Sequence, residues 1–424
     1  MQKKYMVAII IIFTSILIID FYTFKGINIL ISTFNFPINK KLLLIIHWLI
    51  TLIIISGFTI AIIKSNSNKL STNDYLFFYY LFGIFLLFYI PKLQFLIFHI
   101  IEDIINVFIY LIKNIIKNEN ITIKETLFRT SRIVVISKIG IIAATIPFVL
   151  IFYGMTIGKY NFHVKKETLF FPNLPKSFNG LKIVHISDIH IGTFHNKKQV
   201  KKAIDMINEQ NADIIFFTGD MVNNYAEEII GWENILGAMK AKIGKYSILG
   251  NHDYGDYVNW NNEKEKEENK EKLISKHKEI GFYVLLDQSK KVYINGEYIE
   301  IIGVENWGIH HFHQYGDLKA AMQNVDSSSF KILLSHDPSH WDEEVISKTD
   351  IELTLSGHTH GLQIGIDSWG IKWSPVKWLY PRWSGLYKEN EQYLYINQGF
   401  GHIGYPGRIG ISPEITVIEL HAKN

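Results

Sequence analysis

The chain contains no cysteine. Disulfides, thiolate nucleophiles and cysteine-ligated zinc are therefore excluded, while the redox compartment stays open. Its long apolar runs hold few ionisable groups, essentially Asp20 near an end. Conduction or proton relay usually needs several such groups facing inward, so these runs read as an anchor rather than a transporter or channel. The second half has no Lys/Arg stripe, which leaves no case for nucleic acid as a partner.

What is present divides the chain in two. At 424 residues and 48% hydrophobic it is too long for one ordinary core, and part of it belongs in lipid. Up to Gly158 there are 14 Lys/Arg against 6 Asp/Glu; beyond it, 29 against 34. A basic, apolar first part (+8) thus precedes a mildly acidic second part (−5). Fifteen of the 17 histidines fall in the second part, where a mixed N/O metal site can use them. The expected domains are a multi-pass membrane region, 1–158, and a soluble domain, 159–424.

Four stretches are apolar enough to span a bilayer: 5–24, 42–63, 75–90 and 133–153. The first follows Lys3 and Lys4 as a signal peptide would, yet it offers no small-residue cleavage site near Lys25 and is read as retained. A fifth apolar stretch, within 93–117, carries His99, Glu102, Asp103, Asn106, Lys113 and Lys117 along one helical face. That pattern predicts an amphipathic helix lying in the interface. With four spans, nine Lys/Arg (25, 40, 41, 92, 113, 117, 124, 129 and 132) lie on one side and seven (3, 4, 64, 69, 159, 165 and 166) on the other. The bias places the soluble domain outside the cytoplasm.

After Gly158, short apolar runs alternate with polar helices. Residues 181–186, 213–217, 246–249, 331–334 and 351–355 read as buried strands, with 393–397 and 414–420 closing. Residues 197–210 form a helix with Val200, Ile204 and Ile207 on one face, and Asn295-Gly296 turns a hairpin. The charge run 261–279 reads as a solvated surface helix. The fold class is α/β: two sheets flanked by helices, preceded by an α-helical transmembrane region.

Each of the five buried strands ends in metal-binding groups: Asp188 and His190; Asp220; Asn251 and His252; His336; His358 and His360. Ligands of α/β sheets gather beyond the carboxyl ends of strands, so these residues can converge. Carboxylates, imidazoles and an Asn oxygen suit divalent transition metals, and Gly219, Gly250 and Gly357 allow close turns. A bridging carboxylate would hold two ions roughly 3.5 to 4 Å apart, the clamp for in-line phosphoryl displacement.

The blocks Asp188-Ile189-His190, Gly219-Asp220, Gly250-Asn251-His252-Asp253, Ser335-His336 and Gly357-His358-Thr359-His360 resemble those of the calcineurin-like metallophosphoesterase superfamily, over residues 180–420. Gly361, Gln363-Ile364 and the ending 408–414 are similar to its membrane-anchored bacterial, YkuE/YaeI-like branch. The resemblance implies that Asp188, His190, Asp220 and His360 hold one divalent ion, and that Asn251, His336 and His358 hold a second. Asp220 would bridge them. It also implies a bridging hydroxide as nucleophile, with His252 protonating the leaving oxygen and Asp253 orienting its ring. The donor set suits Mn, Fe and Zn alike. The complete ligand set separates the chain from members that serve as non-catalytic scaffolds.

Arg408 is a candidate contact for a substrate phosphate, or a structural ion pair. His310, His311 and His313 read as a surface loop. Residues 369–383 hold four tryptophans and Tyr380, either as an irregular loop on a sheet edge or as a collar meeting lipid headgroups or a lipid tail. The expected substrate is a phosphate ester that is membrane-associated or lipid-linked, at the bacterial cytoplasmic membrane, with membrane lipids as the other partner. A UDP-diacylglucosamine pyrophosphatase-type enzyme on the cytoplasmic face is the alternative.

Overall fold

The structure, a computed structural model, describes residues 2–33, 39–65, 70–116, 122–309, 312–368 and 370–423. His310, His311 and Trp369 lie outside the described residues. The chain forms two compact units, 1–67 with 80–153 and 68–79 with 154–424.

The first unit is built from α1 (Gln2–Thr33), α2 (Lys40–Ser65), α3 (Thr72–Ile116) and α4 (Thr122–Thr156), each long and apolar enough to cross a membrane. The interfacial helix expected within 93–117 is not separate. Residues 93–116 continue α3, whose 45 residues extend about 67 Å at 1.5 Å per residue. Of its polar face, His99, Glu102 and Asn106 turn inward and Asp103 stays partly exposed, while the Lys113 side chain and residue 117 lie outside what the structure describes. Glu102 is fully buried and accepts from the Arg132 guanidinium at 2.9 and 3.0 Å, while the Asn106 amide joins the same group. His99 meets Ser137. Asp20 is also fully buried, held by Lys92, Tyr89 and His47.

The second unit is a two-sheet sandwich. Its strands in chain order are β1 (His163–Phe171), β2 (Leu181–Ile186), β3 (Ile214–Phe217), β4 (Gly244–Ser247), β5 (Tyr283–Val284), β6 (Gln288–Ile294), β7 (Glu297–Gly303), β8 (Lys331–Leu334), β9 (Leu353–Ser356), β10 (Ile366–Ser368), β11 (Ile371–Trp373), β12 (Gly385–Glu389), β13 (Gln392–Ile396) and β14 (Glu414–Ala422). One sheet runs β1-β14-β2-β3-β4-β5 and the other β12-β13-β9-β8-β7-β6, with β10 and β11 as a separate hairpin.

Alternation along the strands builds the layers. Ile183 and Phe216 of the first sheet meet Ile301, Leu334, Leu355 and Tyr395 of the second in the central core. Their neighbours Val184 and Ile215 face outward and are covered by α5 (Lys197–Glu209) through Val200, Ile204 and Ile207. Each such side chain contributes about 1.5 to 3 kcal/mol on burial. Asn196 caps α5 by accepting from Gln199 N. The single turn α6 (Glu233–Leu236) and the charged surface helix α7 (Glu263–Glu279) lie in the segments around β4, and the single turn α8 (Leu318–Ala321) precedes β8. The β6–β7 turn places Asn295 at φ 50° and Gly296 at φ 85°, the pair of positive values that a two-residue type I′ hairpin needs.

Candidate metal centre

Strands β2, β3 and β4 pair in parallel, as do β8 and β9, so their carboxyl ends lie together. The turns beyond them are sharp. Five of the seven expected ligands, Asp188, His190, Asp220, His358 and His360, take positive φ between 46° and 71°. Such backbone costs a non-glycine residue about 1 to 2 kcal/mol, and clusters of it mark sites where geometry is imposed. At Gly219, φ is 94° and a Cβ would sit 2.3 Å from Gly250 N; at Gly357 it would sit 1.9 Å from Ser187 Oγ.

The donor atoms converge. His190 Nε2 lies 3.1 Å from His360 Nε2, and His360 Nε2 lies 3.2 Å from Asp188 Oδ1. On the other side, Asn251 Oδ1 is 3.0 Å from His336 Nε2 and 2.9 Å from His358 Nδ1. Asp220 Oδ2 stands between the halves, 3.5 Å from His190 Nε2 and 3.2 Å from His336 Nε2.

Each imidazole is gripped on its outer nitrogen. His190 Nδ1 donates to Val222 O and His336 Nδ1 to Thr218 O, at 3.2 and 2.7 Å. His358 Nε2 meets the Tyr380 hydroxyl at 2.9 Å, and His360 Nδ1 faces Arg408 Nη2 at 3.1 Å. For His190 and His336 one proton is thereby placed outside, and Nε2 of each is left facing inward, toward Asp220 Oδ2. Lone pairs brought together in a buried space need a cation between them, so the donor set fits divalent metal ions. The electrostatics show the same demand for positive charge, met here by a proton on His336 where a metal ion would displace it. Burial opposes a charge on His336, yet Asp220 beside it raises the imidazole to about 10. Burial also works against Asp220, and His336 and His252 nonetheless hold its carboxyl well below the usual range.

His252 sits beside this cluster with its ring 5.0 Å from His190, and Nδ1 donates to Asn223 O at 2.8 Å. The expectation that Asp253 orients this ring is not met. Asp253 is fully buried, and its carboxylate accepts from the backbone N–H groups of Asp220, Met221, Val222 and Gly250, tying the second and third ligand turns together. Burial, with Asp220 nearby, pushes its carboxyl up to about 7. Arg408 is not placed to meet a substrate either. It is 1% exposed, and its guanidinium donates to the carbonyls of Gln398, Gly399 and Gly401 behind His360. His313 binds Asp256 and not a metal ligand.

Sequence reasoning did not find the aromatic rim. Tyr257 accepts from Asn251 Nδ2 at 2.7 Å and packs 4.6 Å from the His252 ring, while Phe312 and Tyr380 flank His358. Nor did it find that 70–79, from the loop and first turns of α3, belongs to this unit. Leu70 O accepts from the Tyr225 hydroxyl, and Tyr75 donates to Tyr257 O at 3.1 Å.

Comparison with known proteins bears on both halves. Residues 181–362 match the calcineurin-like phosphoesterase family. Residues 4–159 match the family described as the probable transmembrane domain of a calcineurin-like phosphoesterase. The metallophosphoesterase YkuE of Bacillus subtilis is 30% identical over 275 residues, covering 62% of this chain and 85% of that protein. A transmembrane protein with a metallophosphoesterase domain from Danio rerio is 29% identical over 66% of this chain, which spans 62% of that relative's length. A metallophosphoesterase of Aquifex aeolicus is 25% identical, with 99% of its length covered. One half of the chain matches the phosphoesterase family and the other the transmembrane-domain family that accompanies it: the chain belongs to the calcineurin-like metallophosphoesterases, in a branch that carries its own transmembrane domain.

Proposed function

We propose that the protein hydrolyses phosphate esters with two divalent cations, Mn, Fe or Zn, on a membrane-associated, lipid-linked substrate. The observation that carries this reading is the placement of Asp220 Oδ2 within 3.5 Å of donors from both halves of the site. Asp188, His190, Asp220 and His360 would hold one ion, and Asp220, Asn251, His336 and His358 the other. Bound there, the ions supply charge neutralisation for the phosphoryl oxygens and an activated water.

The protein's own residues do the rest. The carbonyls of Val222 and Thr218 fix the tautomers of His190 and His336. With Nδ1–H of His252 committed to Asn223 O, Nε2 is the atom left to deliver a proton to the leaving oxygen. The anchor keeps this chemistry at the bacterial cytoplasmic membrane, and the charge bias of the loops favours a catalytic unit outside the cytoplasm.

The test is metal-dependent turnover of bis-p-nitrophenyl phosphate by the purified full chain. His252→Ala is expected to retain metal yet lose about 10²- to 10⁴-fold against esters with poor leaving groups, and less against p-nitrophenol esters. Equal losses across leaving groups remove His252 from the acid role. Absence of turnover with metal bound overturns the hydrolase reading.

A further inference from the structure

Between the ligand turn at His360 and the rim residue Tyr380, the chain builds a surface that hydrolysis does not need. β10 and β11 pair from Ile366 against Trp373, and a turn at Pro375–Trp378 follows. Six large apolar side chains here face solvent: Leu362, Ile366, Ile371, Trp373, Trp378 (73% exposed) and Leu379 (60%). The segment is firmly seated. Val376, Tyr380 and Trp383 pack with Ile411 in a small core beneath it, Ser374 Oγ donates to Gly361 O at 2.6 Å, and Thr359 Oγ1 donates to Trp383 O at 2.7 Å. An apolar patch held out by a rigid base marks a contact surface.

The occupant is indicated by what the same segment is built on. Ile364 bridges to Ile409 and Gly410, and Gly365 N donates to Ile409 O at 2.9 Å. One residue earlier, Arg408 N donates to Gly154 O at 3.2 Å, and Gly154 lies in the last turn of α4. The hairpin therefore starts from a strand bridge seated on the end of an apolar membrane helix. Across the site, Tyr75 in the first turn of α3 touches the Tyr257 backbone. Gly154 in the last turn of α4 and Tyr75 in the first turn of α3 thus both belong to the second unit and pack on segments next to the site, and tryptophan favours the layer where such helices meet water.

We propose that Leu362, Ile366, Ile371, Trp373, Trp378 and Leu379 insert into the headgroup layer of the bilayer that α4 leaves. The rim of the site then lies level with lipid headgroups, since Leu362 is two residues from His360 and Leu379 adjoins Tyr380. The substrate class this favours, a phosphoester at a lipid headgroup, rests on the hydrolase reading; the insertion itself does not.

Because the chain has no cysteine, a single one can be spin-labelled uniquely in the full chain reconstituted in nanodiscs. Labels at Ile371→Cys, Trp378→Cys and Leu379→Cys are compared with one at Tyr293→Cys, exposed on β6. Insertion predicts that collision with a water-soluble nickel chelate falls at least several-fold at the three sites relative to Tyr293, while collision with oxygen rises. Metal content confirms that each variant is folded. Nickel accessibility equal to that at Tyr293 overturns the proposal, and so does protection from both quenchers, which signals a protein neighbour. The readout is independent of turnover, so failure of the hydrolase reading leaves it intact.

Discussion

The membrane unit and the metal centre bury charge in different ways. In the membrane unit the buried carboxylates have strong cationic partners on other helices: Asp20 has Lys92, and Glu102 has Arg132. At the metal centre Asp188 and Asp220 are as deeply buried, yet imidazoles flank them and, among the described residues, no Lys or Arg forms an ion pair with them. A charge taken from water needs a partner. Where the chain supplies one, the pair holds helices together; where it supplies only lone pairs, the partner must come from outside. Buried carboxylates such as Asp253 that backbone N–H groups satisfy are structural; those whose side-chain partners are imidazoles mark the site.

The largest effect should come from the unpaired side. Asp220→Asn removes the oxygen shared by both halves, and activity is expected to fall by more than about 10³-fold, as when residues acting as a unit lose one member. Elemental analysis should show fewer than two ions per chain; two ions retained would contradict the shared role.

On the paired side, Lys92→Met alone leaves Asp20 buried without its cation and is expected to cost about 3 to 5 kcal/mol. Asp20→Leu with Lys92→Met should recover most of that stability, whereas no apolar pair replaces Asp188 and Asp220 without loss of metal. Unfolding in detergent mixtures checks the first, metal content the second.

Buried histidines outside the metal cluster sharpen the comparison further. Burial lowers His277 to about 3, and it remains neutral in the folded state beside Ser247. Its folded value lies below the unfolded 6.5, so the unfolded chain takes the proton first and stability falls as pH drops from 6.5 towards 3. Between pH 7 and 5 the loss is about 2 kcal/mol from this group. His277→Gln should flatten that part of the denaturation profile; an unchanged slope would show that His277 does not drive it.

The smallest effect belongs to the rim. Tyr257→Phe keeps the ring against His252 but removes the acceptor for Asn251 Nδ2. A loss of about 1 kcal/mol in transition-state stabilisation, or about fivefold in kcat/KM, is expected. Rates within error of the parent would leave the hydroxyl without a positioning role.

Much was legible in sequence because it is local. Short continuous apolar runs marked β2, β8 and β14, Asn295-Gly296 marked its turn, and strand-end Asp and His residues marked the candidate donors, since each signal depends on neighbours along the chain. Partner choice was not local. The helical face of His99, Glu102 and Asn106 is the same pattern whether it meets water or Arg132 and Ser137. Asp253 follows His252 directly, yet its carboxylate is claimed by four backbone N–H groups that β3 and β4 bring within reach. Arg408 reads as a substrate contact or a structural ion pair, and folding settles it among the carbonyls of 398, 399 and 401. β1 pairs with β14 across more than 240 residues, and 70–79, the loop and first turns of α3, group with the second unit. The sequence alone determined which residues can bind metal and which runs can enter lipid, because those are properties of side chains. Tertiary structure decided which buried charges are paired, because a partner's identity depends on what folding brings within 3 to 4 Å.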